Sequence, residues 1–310
     1  MEYPPLAVCP ILQLSEIFAV KLPFEVSVTF IASSKFLEIL ISSFNHKFLM
    51  NSNSYFDIGA NLTHESFNKD FITVIEDAKQ NNIKKICITS TSIEDTKLSL
   101  ELLKNDQNFF ITTCGIHPHN ADTFKESNIE EIKKLSTHPS VKAIGETGLD
   151  FNRNYSRKEN QILCFESQIK VAQELNLPLF LHQRDAHKDF INCFNNIDLK
   201  VNAVVHCFTG EKEEFYEYLD RGFWIGFTGW ICDPVRGKHM IDLIANMPLE
   251  RIMIETDSPY LLPKNLKIKG RRNEPKFIVE VAKKIAELQN KNLEEITQIF
   301  FDNSQKFFNL

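Results

Sequence analysis

The ten residues Val141–Asp150, VKAIGETGLD, decide the fold prediction. They begin as an apolar run, which is typical of a strand buried on both faces, and they end in ionisable residues. Seven more short apolar runs occur from residue 55 onward. With Val141–Glu146 as the fourth, the predicted strands are Tyr55–Leu62, Lys84–Thr89, Phe109–Gly115, Pro178–His182, Ala203–His206, Phe223–Phe227 and Arg251–Glu255.

Helical patterns separate these runs. Asn160–Leu175 repeats apolar residues every three or four positions, and Glu211–Leu219 and Phe277–Leu288 do the same. Eight strand–helix units in about 250 residues match the usual size of a (β/α)₈ TIM barrel of the α/β class. An open doubly wound sheet is the alternative, and the absence of a G-x-G-x-x-G sequence after the first strand weakens it.

Composition restricts the class of protein. The 310 residues are 43% hydrophobic and 25% charged, as in an ordinary globular protein, with a formal net charge of −6. That charge argues against non-specific coating of nucleic acid, which depends on many Lys and Arg contacts with phosphate. The seven cysteines form no C-x-x-C pair, so we expect neither a zinc–thiolate site nor a disulfide framework, and the cytoplasm is the predicted compartment.

The first 49 residues differ from the rest of the chain. They lack a basic amino-terminal region, and Lys21 and Glu25 interrupt their apolar stretch, so we expect neither a signal peptide nor a membrane span. A transit peptide is a weaker alternative. We expect residues 1–49 to be a poorly ordered extension or absent from the mature protein, and residues 50–310, from Met50, to form the barrel.

Ionisable residues follow most of the predicted strands. Barrel enzymes place their chemistry at the carboxyl ends of strands, where the loops meet at one mouth. Imidazole and carboxylate without thiolate suit Mg²⁺, Mn²⁺ or Zn²⁺. The predicted metal ligands are Glu146, His182, His206 and Asp257. Asp257 is also the candidate general base, because it could ligate the ion or hydrogen-bond the attacking water.

His117 and His119 form the H-x-H sequence after the third strand. Metal ligation and contact with a substrate phosphate are both open for this pair. The structural alternative is a turn fixed by Pro118 with solvated imidazoles. We favour substrate binding by the pair, with phosphate contact or proton donation by His119, which joins Asp257 and Glu146 as a catalytic candidate.

A basic segment follows the eighth strand. Lys264–Lys276 holds six basic residues against one acid, Glu274. Because guanidinium groups pair well with phosphate, Arg271 and Arg272 are candidate substrate contacts. A solvated charged loop is the alternative.

The strand-end motifs, taken together, resemble the TatD family of metal-dependent deoxyribonucleases from about residue 55 to the carboxyl terminus. The matching segments are FDIGANLTHESF at Phe56–Phe67, GIHPH at Gly115–His119, GETGLDFNRN at Gly145–Asn154, FLHQRDAH at Phe180–His187, HCFTG at His206–Gly210, GFTGW at Gly226–Trp230, ETDSPYLLP at Glu255–Pro263 and RRNEP at Arg271–Pro275.

This resemblance implies an amidohydrolase-type barrel that hydrolyses phosphodiester bonds in DNA, commonly 3′→5′ on single strands and with Mg²⁺. It implies metal ligation by Glu146, His182 and His206, with Asp257 as the carboxylate after strand eight. It also implies a cytoplasmic enzyme of DNA repair or DNA degradation. RNA is a further possible substrate, and we expect a monomer.

The first strand departs from the pattern of many relatives, which carry an H-x-H pair there. The corresponding positions here are Gly59 and Asn61, and the most similar subgroup also lacks the pair. We therefore expect one tightly held ion, or a second that binds only with substrate. Fewer imidazoles favour Mg²⁺ over Zn²⁺, and Asn61 becomes a candidate substrate contact.

Two other functions stay open from sequence. The same metal-activated water could attack an acyl carbon, as in removal of a D-amino acid from tRNA, and an assay on charged tRNA beside DNA would separate the two. A non-catalytic, metal-binding interaction protein is the third hypothesis. The intact set of Glu146, His182, His206 and Asp257 argues against it.

Overall fold

The computed structural model describes residues 53–310, so the predictions for residues 1–49 and for a start at Met50 lie outside the described residues. Eight parallel strands form one sheet in which every strand pairs with its neighbour in sequence. The α/β barrel prediction is confirmed. The strands are β1 (Tyr55–Ala60), β2 (Ile83–Ile88), β3 (Phe110–Cys114), β4 (Val141–Asp150), β5 (Leu179–Arg184), β6 (Ala203–Val205), β7 (Trp224–Phe227) and β8 (Ile252–Ile254).

A helix follows each strand in the described chain, and one further helix ends it. These helices are α1 (Phe71–Gln80), α2 (Ile93–Leu102), α3 (Ser127–Leu135), α4 (Lys158–Leu175), α5 (His187–Asn192), α6 (Lys212–Asp220), α7 (Ile241–Asn246), α8 (Ile278–Leu288) and α9 (Leu293–Phe308). Short 3₁₀ turns lie at Glu65–Phe67, Leu103–Asn105, Pro118–Thr123, Gly229–Cys232, Lys238–Met240, Leu249–Arg251 and Pro275–Phe277. None of the helices within 53–310 has both the length and the apolar character needed to cross a bilayer.

Strand β4 is longer than its apolar run predicts. The prediction ended the strand at Glu146, whereas pairing with β5 continues until Asp150 lies opposite Arg184. Gly148 permits this extension, because its φ is +144° and an added Cβ would collide with the carbonyl oxygen of His182. The extended strand carries both Glu146 and Asp150.

The barrel interior has its own apolar cluster, separate from the layer between strands and helices. Every strand contributes to it, as expected for a filled barrel. The strand residues of this interior cluster are Phe56, Ile58, Cys87, Ile111, Ala143, Phe180, Val204, Trp224 and Met253.

Helix α9 closes the amino-terminal end of the barrel. Its last two residues, Phe307 and Phe308, belong to the interior cluster. The ring of Phe308 stacks on Phe56 with centroids 5.5 Å apart, and Phe307 meets Trp224 edge-on at 5.6 Å. Because Phe56 and Trp224 stand near the starts of their strands, apolar packing fills the end opposite the strand carboxyl termini.

The sheet closes between β1 and the segment that follows β8. The Asp257 N–H donates to the carbonyl of Gly59 at 2.8 Å, and the Asn61 N–H donates to the carbonyl of Ser258 at 2.7 Å. Beneath them, the buried Asp57 carboxylate accepts from the backbone N–H and hydroxyl of Thr256 at 2.9 and 2.6 Å. This seam places Asn61 and Asp257 side by side.

We predict that Phe307→Ala lowers the free energy of unfolding by about 3–5 kcal/mol, because it leaves a cavity in the interior cluster. Leu163→Ala is the control, since Leu163 is 56% exposed on α4 and its truncation should change stability by less than about 0.5 kcal/mol. Denaturant titration measures both variants. Equal effects would show that α9 does not seal the barrel.

Candidate active site at the carboxyl ends of the strands

Three imidazoles converge on one carboxylate oxygen at the mouth of the barrel. Glu146 Oε1 lies 2.8 Å from Nδ1 of His182, 2.8 Å from Nε2 of His206 and 3.1 Å from Nε2 of His117. Glu146 comes from β4, His182 from β5, and the other two residues follow β6 and β3. Two of the predicted ligands, His182 and His206, therefore contact a third, Glu146, and His117 contacts it as well.

These groups are of the types that bind a divalent cation. Ligand atoms of His117, Glu146 and His182 all lie within 4.8 Å of one another. His206 is as close to Glu146 as His182 is. A buried group of imidazoles around a carboxylate suits a divalent transition-metal ion. The family and the cluster together indicate a divalent metal site.

The charges in this cluster are mutually stabilised. Burial alone would raise the pKa of Glu146, but the neighbouring His117 and His206 imidazoles outweigh it and hold that pKa well below its usual range. Burial lowers the pKa of His117 to about 4, against the opposing pull of Glu146. For His206, nearby carboxylates overcome burial and raise the pKa. Glu146 is thus an ionised carboxylate available to a cation.

A second carboxylate, Asp150, supports the histidines from the β4 end. Its Oδ2 lies 2.8 Å from Nε2 of His119 and 3.3 Å from Nε2 of His182. Its Oδ1 accepts the backbone N–H groups of Asn152 and Arg153 at 3.0 and 2.7 Å. Asp150 therefore fixes one nitrogen of each ring. Asp150 was not among the predicted site residues, although its position four residues after Glu146 was an available signal.

Asp257 lies at the β1–β8 seam beside the cluster. Its Oδ1 accepts a hydrogen bond from Asn61 Nδ2 at 2.9 Å. Burial raises the pKa of Asp257 to about 7, and the carboxylates of Glu146 and Glu255 add to the shift. His206 and Asn61 oppose it. The charges of the cluster thus influence Asp257, the fourth predicted ligand, but its side-chain hydrogen bond goes to Asn61.

The two predicted arginine contacts have different surroundings. Arg272 donates to both carboxylate oxygens of Asp70 at 2.9 and 2.6 Å, to the Ser66 carbonyl at 2.6 Å and to Glu274 at 2.8 Å. These bonds tie the loop after β8 to the segment after β1, so they favour a structural role. Arg271 is exposed and stays a candidate substrate contact.

A (β/α)₈ barrel with imidazole and carboxylate groups gathered at its carboxyl-terminal mouth is the architecture of a metal-dependent hydrolase. A family model described as "TatD related DNase" matches residues 56–309. The chain belongs to this family, so the enzyme class expected from the strand-end motifs is confirmed.

Named relatives agree over most of the chain. The "3'-5' ssDNA/RNA exonuclease TatD" of Musicola paradisiaca is 38% identical over 258 residues, which cover 82% of this chain and 98% of that protein. The protein of the same name from a Rahnella species is 40% identical over 259 residues, with 82% and 98% covered.

Solved structures of TatD-family proteins are also similar to this chain. The TatD family hydrolase from Entamoeba histolytica superposes with a TM-score of 0.76 at 29% identity, covering 83% of this chain and 98% of that one. A TatD homologue from Escherichia coli gives 0.77 at 27% identity, covering 84% and 99%.

We predict that Arg272→Met lowers the free energy of unfolding by about 1–2 kcal/mol, because it removes several charged hydrogen bonds from a side chain that is 26% exposed. Arg271→Met, its exposed neighbour, should leave stability unchanged within about 0.5 kcal/mol. Thermal and denaturant unfolding of the two variants make the comparison. A stable Arg272 variant with weakened substrate binding would restore the original prediction.

Proposed function

We propose that this protein hydrolyses phosphodiester bonds in single-stranded DNA from the 3′ end, with RNA as a second substrate. The observation that carries the proposal is the convergence of three imidazole nitrogens on Glu146 Oε1 at the barrel mouth. The relatives named as 3′–5′ exonucleases of single-stranded DNA and RNA support the choice of bond and polarity.

We propose that Glu146, His182 and His206 hold a divalent ion, with His117 and Asp257 at its edge. When bound, such an ion supplies Lewis acidity, which polarises a phosphoryl oxygen and makes water a stronger acid. The cluster contains three imidazoles, one more than the predicted ligand set, because His117 joins His182 and His206. Since imidazole suits Mn²⁺ or Zn²⁺ and Mg²⁺ prefers oxygen, we propose that Mg²⁺ supports activity and that Mn²⁺ binds more tightly.

Two residues of the chain, Asp257 and His119, are proposed to handle the proton transfers. Asp257 is proposed to accept a proton from the attacking water, and Asn61 Nδ2 holds its carboxylate from the β1 side. His119 is proposed to contact the phosphate or give a proton to the leaving oxygen. Asp150 engages His119 through Nε2, which leaves Nδ1 as the nitrogen for substrate.

Two exposed tyrosines suit a single-stranded substrate. Tyr155 is 66% exposed and its ring lies 4.8 Å from that of His119. Tyr260 is 52% exposed and its backbone N–H donates to the carbonyl of Asp257. One ring thus adjoins the β3–β4 side of the cluster and the other its β8–β1 side. Unpaired bases can stack on such rings, whereas the bases of a duplex are already stacked on one another.

Two further assignments are proposed, a cytoplasmic location and a monomeric state. All six cysteines that the described residues contain are free thiols, which supports a reducing compartment such as the cytoplasm. We propose that the protein acts as a monomer.

We predict that chelator-treated protein loses digestion of a 3′-tailed, end-labelled oligonucleotide and regains it on addition of Mg²⁺ or Mn²⁺. His206→Ala should lower the rate by at least about 100-fold at saturating metal, since changes even around the ligands cost 10–100-fold. Asp257→Asn should lower kcat by about 10²–10⁴-fold.

DNA, RNA and charged tRNA are assayed side by side in that experiment. Shortening from the 3′ end of single strands is expected. Deacylation of charged tRNA without cleavage of either nucleic acid would replace the nuclease proposal with the esterase one, and activity of fully chelated protein would refute the role of the metal.

We predict that Tyr155→Ala and Tyr260→Ala each raise KM for single-stranded DNA by about 5–150-fold, because one stacked base contributes about 1–3 kcal/mol. Hydrolysis of bis(p-nitrophenyl) phosphate, which carries no base, should change less than twofold in kcat. Tyr216→Ala is the control, since Tyr216 is also exposed but lies on the outer helix α6. Unchanged KM in both tyrosine variants would remove the stacking role.

A further inference from the structure

Glu255, directly after β8, is fully buried and faces the cluster from below. Its Oε2 lies 3.4 Å from Nδ1 of His206, and its Oε1 accepts the backbone N–H of Cys207. The other ring nitrogen of His206, Nε2, points at Glu146. His206 is thus held between two carboxylates, one at each nitrogen, and Glu255 also holds the backbone of the next residue.

Two glycines make the room that Glu255 occupies. A Cβ added to Gly226 on β7 would lie 2.6 Å from Glu255 Oε1 and 3.2 Å from the Cα of His206. A Cβ added to Gly59 on β1 would collide with Glu255 Oε2 and lie 3.2 Å from the Phe180 ring. The carboxylate therefore fills a slot, defined by Gly59 and Gly226, that no other residue type would leave open.

We propose that Glu255 is the positioning residue for His206: it accepts the Nδ1 proton and so presents Nε2 to the metal. Such outer carboxylates fix the tautomer and ring orientation of ligating histidines. The proposal rests on the metal site of the proposed function. It also gives Gly59 a role, because a Cβ at this strand-one position would press on the carboxylate that orients His206.

The experiment measures Mn²⁺ affinity directly, by isothermal titration of chelator-treated protein without any nucleic acid. Glu255→Ala should weaken Mn²⁺ binding by about 10–100-fold, and Glu255→Gln, which keeps one acceptor oxygen, should weaken it less. The control is Asn303→Ala. Asn303 anchors the start of β8 through the carbonyls of Leu249 and Ile252, so its loss should reduce stability while leaving Mn²⁺ affinity unchanged.

A double-mutant cycle tests whether Gly59 provides the space that Glu255 occupies. Gly59→Ala should weaken Mn²⁺ binding because the added methyl displaces Glu255. Gly59→Ala combined with Glu255→Ala should bind Mn²⁺ no more weakly than Glu255→Ala alone, since the displaced group is already gone.

The outcomes separate this inference from the proposed function. If Glu255→Ala and Gly59→Ala both bind Mn²⁺ within twofold of the unmodified protein, the positioning role is overturned. The Gln and Gly59 variants decide the matter if the Ala variant does not fold. If the unmodified protein binds Mn²⁺ with the predicted dependence on Glu255 but digests no nucleic acid, the nuclease proposal fails and the positioning role stands.

Discussion

The whole site depends on one buried carboxylate, Glu146, and on the need to compensate its charge. An ionised carboxylate taken out of water is costly unless charged or hydrogen-bonding partners surround it. Here the partners come from three other strand ends, those of β3, β5 and β6. Because β3 to β6 are consecutive strands of the curved sheet, their carboxyl ends bring these side chains together, and the geometry of the site therefore depends on the curvature of the barrel.

The molecule divides stability and function between its two ends. At the amino-terminal end, apolar rings from α9 complete the interior cluster. At the other end, the seam between β1 and the segment after β8 uses polar bonds, with Asp57 holding Thr256 and Asn61 holding Asp257. A change in that seam would therefore alter the position of the proposed base, whereas a change in the ring packing would act mainly on stability.

The sequence predicted the eight strands and the residues after them because buried parallel strands are locally apolar and polar residues at their ends stand out. It could not predict features that depend on distant contacts. The extension of β4 needs Gly148 to meet β5, and the bonds of Arg272 reach Asp70, far away in the chain. Glu255 lies two residues before Asp257 in the sequence. Its partner His206 follows β6, and the space that it fills is formed by glycines of β7 and β1, so this role could not be predicted from the sequence.

The most direct test of the account is a crystal structure of the protein soaked with Mn²⁺, with the ion located by anomalous scattering. The account predicts one strong peak at about 2.0–2.3 Å from a Glu146 oxygen and from a ring nitrogen of His206, the range usual for such ligands. A protein that shows no peak at the barrel mouth, or that binds its Mn²⁺ away from Glu146, would contradict it.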